Sequence, residues 1–284
     1  MRALLQHVAT ILITLLIGGF LGASLVRFSP GFGVDEAELD PHRSPGSIAA
    51  IRQESGANEN IVAFYFHYLQ RMAHGDLGTS RTLNRPVAEL IRERLPETMK
   101  SVVLGLGVGW ALGFALAIPA VMLRSRLADV SASAIAGSLL CVPAGVFALI
   151  FVLLRAPGRF VVALIIFPKV FRFARNLLVR SAELPHVLTA RVKGLSEIRI
   201  FFWHILPSVG PQLLALAGVS VSLAFAATIP VEVLCDLPGI GQLAWNAALG
   251  RDLYLLVNLT LIVTVITLIA NTTADLAKPR RSEA

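Results

Sequence analysis

Charge is scarce in this chain: only 15% of its 284 residues are charged, 55% are hydrophobic and the mean hydropathy is +0.72. Soluble domains carry about 25% charged residues, so a membrane protein is the first reading. Cysteine is nearly absent. Cys141 lies inside an apolar run and Cys235 just beyond another, and both read as unpaired small apolar side chains. The histidines, at 7, 42, 67, 74, 186 and 204, are too scattered to suggest a metal site. No Gly-x-x-x-x-Gly-Lys-Ser/Thr loop is present, so the chain is not built to hydrolyse ATP itself. With no His-Glu-x-x-His, Cys/His cluster or Gly-x-Ser-x-Gly either, metalloprotease and serine-hydrolase readings have no anchor. We therefore expect no catalytic residue, cofactor or metal on this chain. Ionisable residues are also missing from the interiors of the apolar runs, which removes most support for an ion or proton pump.

What the sequence does have is long uncharged runs. A helix needs roughly 20 residues to cross about 30 Å of hydrocarbon. Four runs meet that length: Val8 to Val26, Ser101 to Leu123, Val130 to Leu154 and Ser208 to Val231. A fifth, Leu253 to Ala274, is bounded by Asp252 and Asp275. They are continuously apolar rather than alternating, as helices are and barrel strands are not. The first could also serve as a signal peptide, with Arg2 before it and Gly22-Ala23-Ser24 after. Its length favours a span.

Whether there is a sixth helix turns on Phe160 to Phe167, which is apolar but only eight residues long. Extended from about Ala156 to Asn176, with Lys169, Arg172 and Arg175 snorkelling to the headgroups, it becomes long enough. Charge parity supports the extension. With six helices and both termini cytoplasmic, the inner side holds 13 of the 25 basic and 5 of the 18 acidic residues. That gives +8 inside and −1 outside, adding to the chain's +7, in accord with the positive-inside rule. Five helices would put the basic 169–199 region and the Lys278-Pro279-Arg280-Arg281 tail on opposite sides.

The expected fold is an all-α membrane protein of six transmembrane helices. Its parts are a first transmembrane helix at 1–27, an external loop with short amphipathic helices at 28–97, and a five-helix core at 98–284 that includes a cytoplasmic segment at 182–207. In the external loop, "SPGFGVDEAELDPHRSPG" reads as irregular. A helix is expected at about Asn60 to Ala73, where Phe64, Tyr65, Phe66 and Tyr68 would suit a membrane interface or ordinary packing. Pro86 is placed to open a second short helix, "PVAELIRERL". Gly105, Gly109 and Gly113 share one face of the second span, which suits close packing within the chain or at a subunit interface. Pro119, Pro143 and Pro211 permit kinks.

One segment fits neither pattern: "LTARVKGLSEIRIFFWHILP", residues 188–207. It reads as a helix, a turn at Gly194 and a second helix, with Arg191, Lys193 and Arg199 around the turn and apolar residues from Ile198 to Ile205. Glycine gives a sharp turn the backbone freedom it needs. The shape suits docking into another protein or, more simply, an interfacial loop.

With these residues in view, the chain resembles the permease subunits of binding-protein-dependent ABC importers, in the branch handling dipeptides, oligopeptides and nickel. "TARVKGLSE" at 189–197 resembles that branch's version of the cytoplasmic Glu-Ala-Ala…Gly motif, with Leu188-Thr189-Ala190 in the Glu-Ala-Ala place. "VEVLCDLPGIGQLAWNAALGRDLYLL" at 231–256 is similar to its later motif through Glu232, Pro238, Gly239, Gly241, Arg251 and Asp252. "GDLGTSRTLNRPVAELIRERLPET" at 75–98 resembles its external segment, and "FSPG" at 28–31 the loop after its first helix. The chain departs from the pattern in lacking glutamate at 188 and in the short "RAPGR" connection between the third and fourth helices.

The resemblance implies type I ABC importer permease architecture in the bacterial inner membrane and import of di- or oligopeptides. It implies a second permease subunit, two cytoplasmic ABC ATPases that bind ATP and magnesium, and an external solute-binding protein. It assigns ATPase coupling to Leu188, Thr189, Ala190, Arg191, Lys193, Gly194, Leu195, Ile198, Leu206 and Pro207. Glu232, Asp236, Pro238, Gly239 and Gly241 are candidates for an external gate or binding-protein contact, with helix capping or pairing to Arg251 as the alternative for the two acids. A secondary transporter, a membrane-anchored assembly protein and a divergent inactive permease copy stay open.

Overall fold

The computed structural model describes residues 9, 13–14, 16–21, 24, 61–122 and 126–276. Most of the expected first span, the loop from residue 28 to residue 60 with its FSPG sequence, and the Lys278–Arg281 tail lie outside the described residues. Helix α1 covers Ile61–Ala73 and is followed by a two-stranded antiparallel hairpin, β1 Thr79–Ser80 and β2 Arg85–Pro86. The remaining helices are α2 Val87–Met122, α3 Arg126–Leu140, α4 Ala144–Leu153, α5 Val161–Ala182, α6 Pro185–Val192, α7 Glu197–Ile200, α8 Leu206–Leu234, α9 Ile240–Leu249 and α10 Leu253–Leu276. A short 3-10 turn, Gly158–Phe160, precedes α5, and a π-helical turn, Phe201–Ile205, joins α7 to α8.

Three described helices are long and apolar enough to cross a membrane: Val87–Met122, the joined Glu197–Leu234, and Tyr254–Ala274. A bent pair, Asp129–Leu140 with Ala144–Leu153, makes up to four. The run expected as one span from Val130 to Leu154, with a kink permitted at Pro143, is corrected in degree: it breaks at Cys141-Val142-Pro143, and its halves are bent by 93°. Pro143 has extended φ and ψ of −60° and 146°, and proline at that place cannot continue the preceding helix. A second correction concerns Pro86, which ends β2 rather than opening a short helix. The helix after it runs without interruption through Pro96 into the apolar stretch, 36 residues in all. The extended sixth-helix segment is helical, but over Val161–Ala182 rather than Ala156 to Asn176, because Pro157 and the 3-10 turn occupy its expected start.

By contacts the chain forms two units, Met1–Glu93 with Leu243–Val265 and Arg94–Gln242 with Ile266–Ala284. In the first, Tyr65 of α1 is buried with Val257 and Leu261, flanked by Phe20, Leu69, Met72 and Tyr254. Its hydroxyl donates to the Leu16 carbonyl at 3.0 Å. The aromatic face of α1 thus divides, with Tyr65 inward and Phe66 67% exposed; the side chains of Phe64 and Tyr68 lie outside the described ones. Buried Asp252 fixes the hairpin to the start of α10: one oxygen accepts from the Ser80 hydroxyl (2.6 Å) and the Thr82 amide (3.2 Å), the other from the Leu255 amide (3.1 Å).

The second unit is built around α5, whose Val162, Ile166, Val170, Phe171, Ala174 and Leu178 are all essentially buried. The glycine face of α2 lies directly on it. A Cβ at Gly105 would approach the Val162 side chain, one at Gly109 would come within 3.0 Å of Ile166, and one at Gly113 within 2.7 Å of Val170. Within this chain, the three glycines serve helix-to-helix packing. Gly158, in the short connection before α5, is tight in the same way against Cys235.

Candidate functional site

The 188–207 segment folds as the turn chemistry of its sequence dictates. Pro185 opens α6, where a missing N–H costs nothing because the first helical amides have no intrahelical partner. Gly194 closes it with φ of +74°, a left-handed conformation that glycine adopts without Cβ strain. The Gly194 amide donates to the Arg191 carbonyl (2.9 Å) and the Leu195 amide to the Ala190 carbonyl (3.3 Å), the paired bonds of a Schellman ending. Nothing lies within 4 Å of where a Gly194 Cβ would sit, so the glycine is required by backbone geometry and not by space.

Beyond the turn, α7 leads through the π-turn into α8. Pro207 stands near the start of α8, and a proline ring in a helix crowds the carbonyl four residues earlier, here Trp203. The wider π-turn falls on that very stretch, and the Ser208 hydroxyl donates to the His204 carbonyl at 2.7 Å. Leu206 is half-buried and Pro207 exposed.

Burial sorts the candidate residues. Val187 and Ala190 face inward on α6, which turns Leu188 (49% exposed) and Val192 (89%) outward one helical turn apart. Ile198 is 65% exposed, while Leu195 is only half-exposed. Thr189, Lys193 and Arg199 are exposed. The result is an exposed helical tip with apolar side chains among cationic ones. Val192, Phe202 (58%) and Trp203 (76%) belong to its exposed surface and were missed from the sequence. Val192 was findable, since it stands four residues after Leu188 on the same helical face.

Arg191 behaves differently. Its side chain is only 20% exposed, its Nε and Nη2 donate to the two Glu197 oxygens at 3.0 and 3.3 Å, and its Nη1 donates to the Ala182 carbonyl at 3.1 Å. Beside α6 a cavity of about 490 Å³ is lined by Arg126, Asp129, Arg175, Glu183, Leu188 and Arg191 among others. Across it, the Arg175 guanidinium holds Asp129 through both oxygens, tying α5 to α3.

The second candidate group also comes together. Glu232, on the last turn of α8, is 1% exposed. Its Oε1 accepts from the Thr98 hydroxyl (2.6 Å) and its Oε2 from the amides of Gly241 (2.6 Å) and Gln242 (3.3 Å), while the Ile240 amide donates to the Thr98 oxygen (2.8 Å). Glu232 and Thr98 therefore satisfy the free amides that open α9, where negative charge is also favoured by the helix dipole. Gly239 and Gly241 let the backbone approach: a Cβ on Gly239 would overlap the Glu232 carboxylate, and one on Gly241 would stand 2.9 Å from the Ile229 backbone. Asp236 is exposed, has φ of +50°, and accepts from the Gln242 amide group at 2.8 Å. Pro238 is exposed between them. Of the readings offered by the sequence, helix capping describes Glu232's hydrogen bonds. Among the described residues no group of three or more potential metal-binding side chains occurs.

Residues 90–282 match the family model described as the binding-protein-dependent transport system inner membrane component. Among curated proteins, the chain is 26% identical over 284 residues to the oligopeptide transport system permease protein OppB of Escherichia coli K12, covering 93% of this chain and 90% of that one. A Brucella suis protein assigned by name to a peptide transport system permease is 27% identical over 278 residues, covering 88% of each. Among solved structures, a chain of the MetNI methionine ABC transporter in an inward-facing crystal form superposes with a TM-score of 0.59 at 15% identity, over 66% of this chain and 94% of that one, which supports the fold alone. Apolar helices of membrane-spanning length, the glycine-closed helical tip and a family match across more than half the chain agree, and the chain belongs to the inner membrane permeases of binding-protein-dependent ABC importers.

Proposed function

We propose that this chain is the permease of a peptide importer, forming a translocation path with a second permease subunit and driven through residues 188–207 by two ABC ATPases. ATP and magnesium are bound by those ATPases, and an external solute-binding protein delivers the peptide. Six helices span the bilayer in this reading: the first near Val8 to Val26, then α2, the bent α3–α4 pair, α5, α8 and α10, with both termini in the cytoplasm.

The exposed tip carries the proposal. The joined helix Glu197–Leu234 has 38 residues, about 57 Å at 1.5 Å per residue, against about 30 Å of hydrocarbon. Nearly half of it must stand outside the membrane core, and the end that carries α6, Gly194 and α7 is the basic one. An apolar patch of Leu188, Val192 and Ile198 supplies buried area to a partner, and Lys193 and Arg199 orient the approach. Substrate class rests on the names of the relatives.

The test is co-purification from the native host. An ATPase and a second permease should accompany the tagged chain, and Val192→Asp with Ile198→Asp should remove the ATPase while leaving the second permease. A wild-type chain that purifies alone, in amounts sufficient for transport, would favour a secondary transporter and sink the proposal.

A further inference from the structure

We infer that Arg191 is a positioning residue that transmits ATPase movement inside this chain, rather than a residue that contacts the ATPase; this rests on the coupling reading above. The guanidinium sits where three elements meet. It projects from α6, its Nη1 donates to the carbonyl of Ala182, the last residue of α5, and its Nε and Nη2 grip Glu197, the first residue of α7. Each partner is chosen by helix-end chemistry. The final carbonyls of a helix have no intrahelical donor and carry partial negative charge, which a cation satisfies. Glu197 at the first position of α7 is the favoured acid there, and a fork of two parallel N–H donors matches its carboxylate.

This geometry leaves Arg191 little capacity for a partner protein. Its side chain is 20% exposed, whereas Glu197 is 45% exposed, so the arginine is the inner member of the pair. Without the clasp, α6 keeps its chain link to α7 through the Gly194 turn, which has open space on its side-chain face and the conformational freedom of glycine, and a long contact of His186 with Ser208 of α8 at 3.4 Å. A push on Leu188 or Val192 would then be absorbed at that turn. With the clasp, α6, the end of α5 and the start of α7 move together, and α7 continues through the π-turn into the long α8. Lys193, exposed at the C-cap of α6, is left to meet the partner.

The experiment compares Arg191→Gln, Glu197→Gln, the double variant and Arg180→Gln, an exposed arginine on the last turn of α5 whose side chain makes none of the clasp's hydrogen bonds. In the assembled transporter the first three should retain wild-type ATPase stoichiometry, yet import about tenfold less peptide per ATP, the double being no worse than either single, as expected for one shared interaction. Loss of the ATPase with Arg191→Gln but not Glu197→Gln would mean direct contact and overturn the inference, as would unchanged peptide per ATP in both. Hydrogen exchange on the isolated chain reads the clasp without any ATPase. Amides 195–200 should exchange about tenfold faster in Arg191→Gln and Glu197→Gln than in Arg180→Gln, the loss of a charged hydrogen bond. Equal exchange overturns the clasp even if the coupling reading stands, and a wild-type chain that recruits no ATPase sinks that reading even if the clasp is confirmed.

Discussion

Gly194 and Glu232 illustrate two different reasons for which a single residue type is needed. At Gly194 the demand is conformational: φ is +74° and a side chain would meet no atom. Gly194→Ala should therefore cost only about 1 kcal/mol of local stability. A bulky β-branched residue such as valine should flatten the turn, and ATP hydrolysis by the complex should continue while uptake falls; unaltered uptake by the valine variant would count against coupling through this turn. At Glu232 the demand is for acceptors. Glu232→Ala would leave the Thr98 hydroxyl and the Gly241 amide buried without their partner, a loss of about 2–6 kcal/mol, since each orphaned group costs about 1–3 kcal/mol. Thermal unfolding in detergent should show the alanine variant melting well below wild type and Glu232→Gln in between. A Glu232→Ala protein with wild-type melting would show that the α9 cap contributes nothing.

Among elements, the α2–α5 contact is the most exacting. Its glycines are faced by Val162, Ile166 and Val170, and these β-branched side chains on α5 fill the space that the missing Cβ atoms leave. Gly109→Ala must displace Ile166 by a few tenths of an ångström and should cost about 1–3 kcal/mol, the usual penalty for overpacking. Gly107→Ala, on the open face of the same helix, meets nothing within 4 Å and should be neutral or slightly stabilising. Urea or thermal denaturation of the two variants separates them, and equal stability would mean that α2 and α5 do not pack through this face. The glycine periodicity was legible in the sequence, because a four-residue spacing fixes one helical face. Its partner was not, because spacing says nothing about which helix lies opposite. The break in α3–α4 was half legible: Pro143 announced a bend, while its 93° magnitude depends on how both halves pack.

For the whole molecule, the distribution of charge makes a prediction about sidedness. With Cys141 and Cys235 replaced by serine, a cysteine at exposed Lys193 should react with an impermeant maleimide only from the cytoplasmic face, and one at exposed Leu83 in the hairpin only from outside. Labelling of both from one side would break the six-helix parity. The placement of the three described helices long enough to cross a membrane was readable because burial in lipid demands nothing subtler than about 20 apolar residues in a row. So were the helix, the turn at Gly194 and the second helix within 188–207, since a glycine turn signal acts within a few residues; the start at Pro185 was not read. What the sequence could not determine were the contacts that join distant residues: Thr98 with Glu232, and Ser80 and Thr82 with Asp252. Local propensity acts over one or two helical turns, whereas these pairs depend on where whole helices come to rest. Only the tertiary structure decided that Glu232 is spent on capping a helix and that Arg191 faces inward while Val192 beside it faces out.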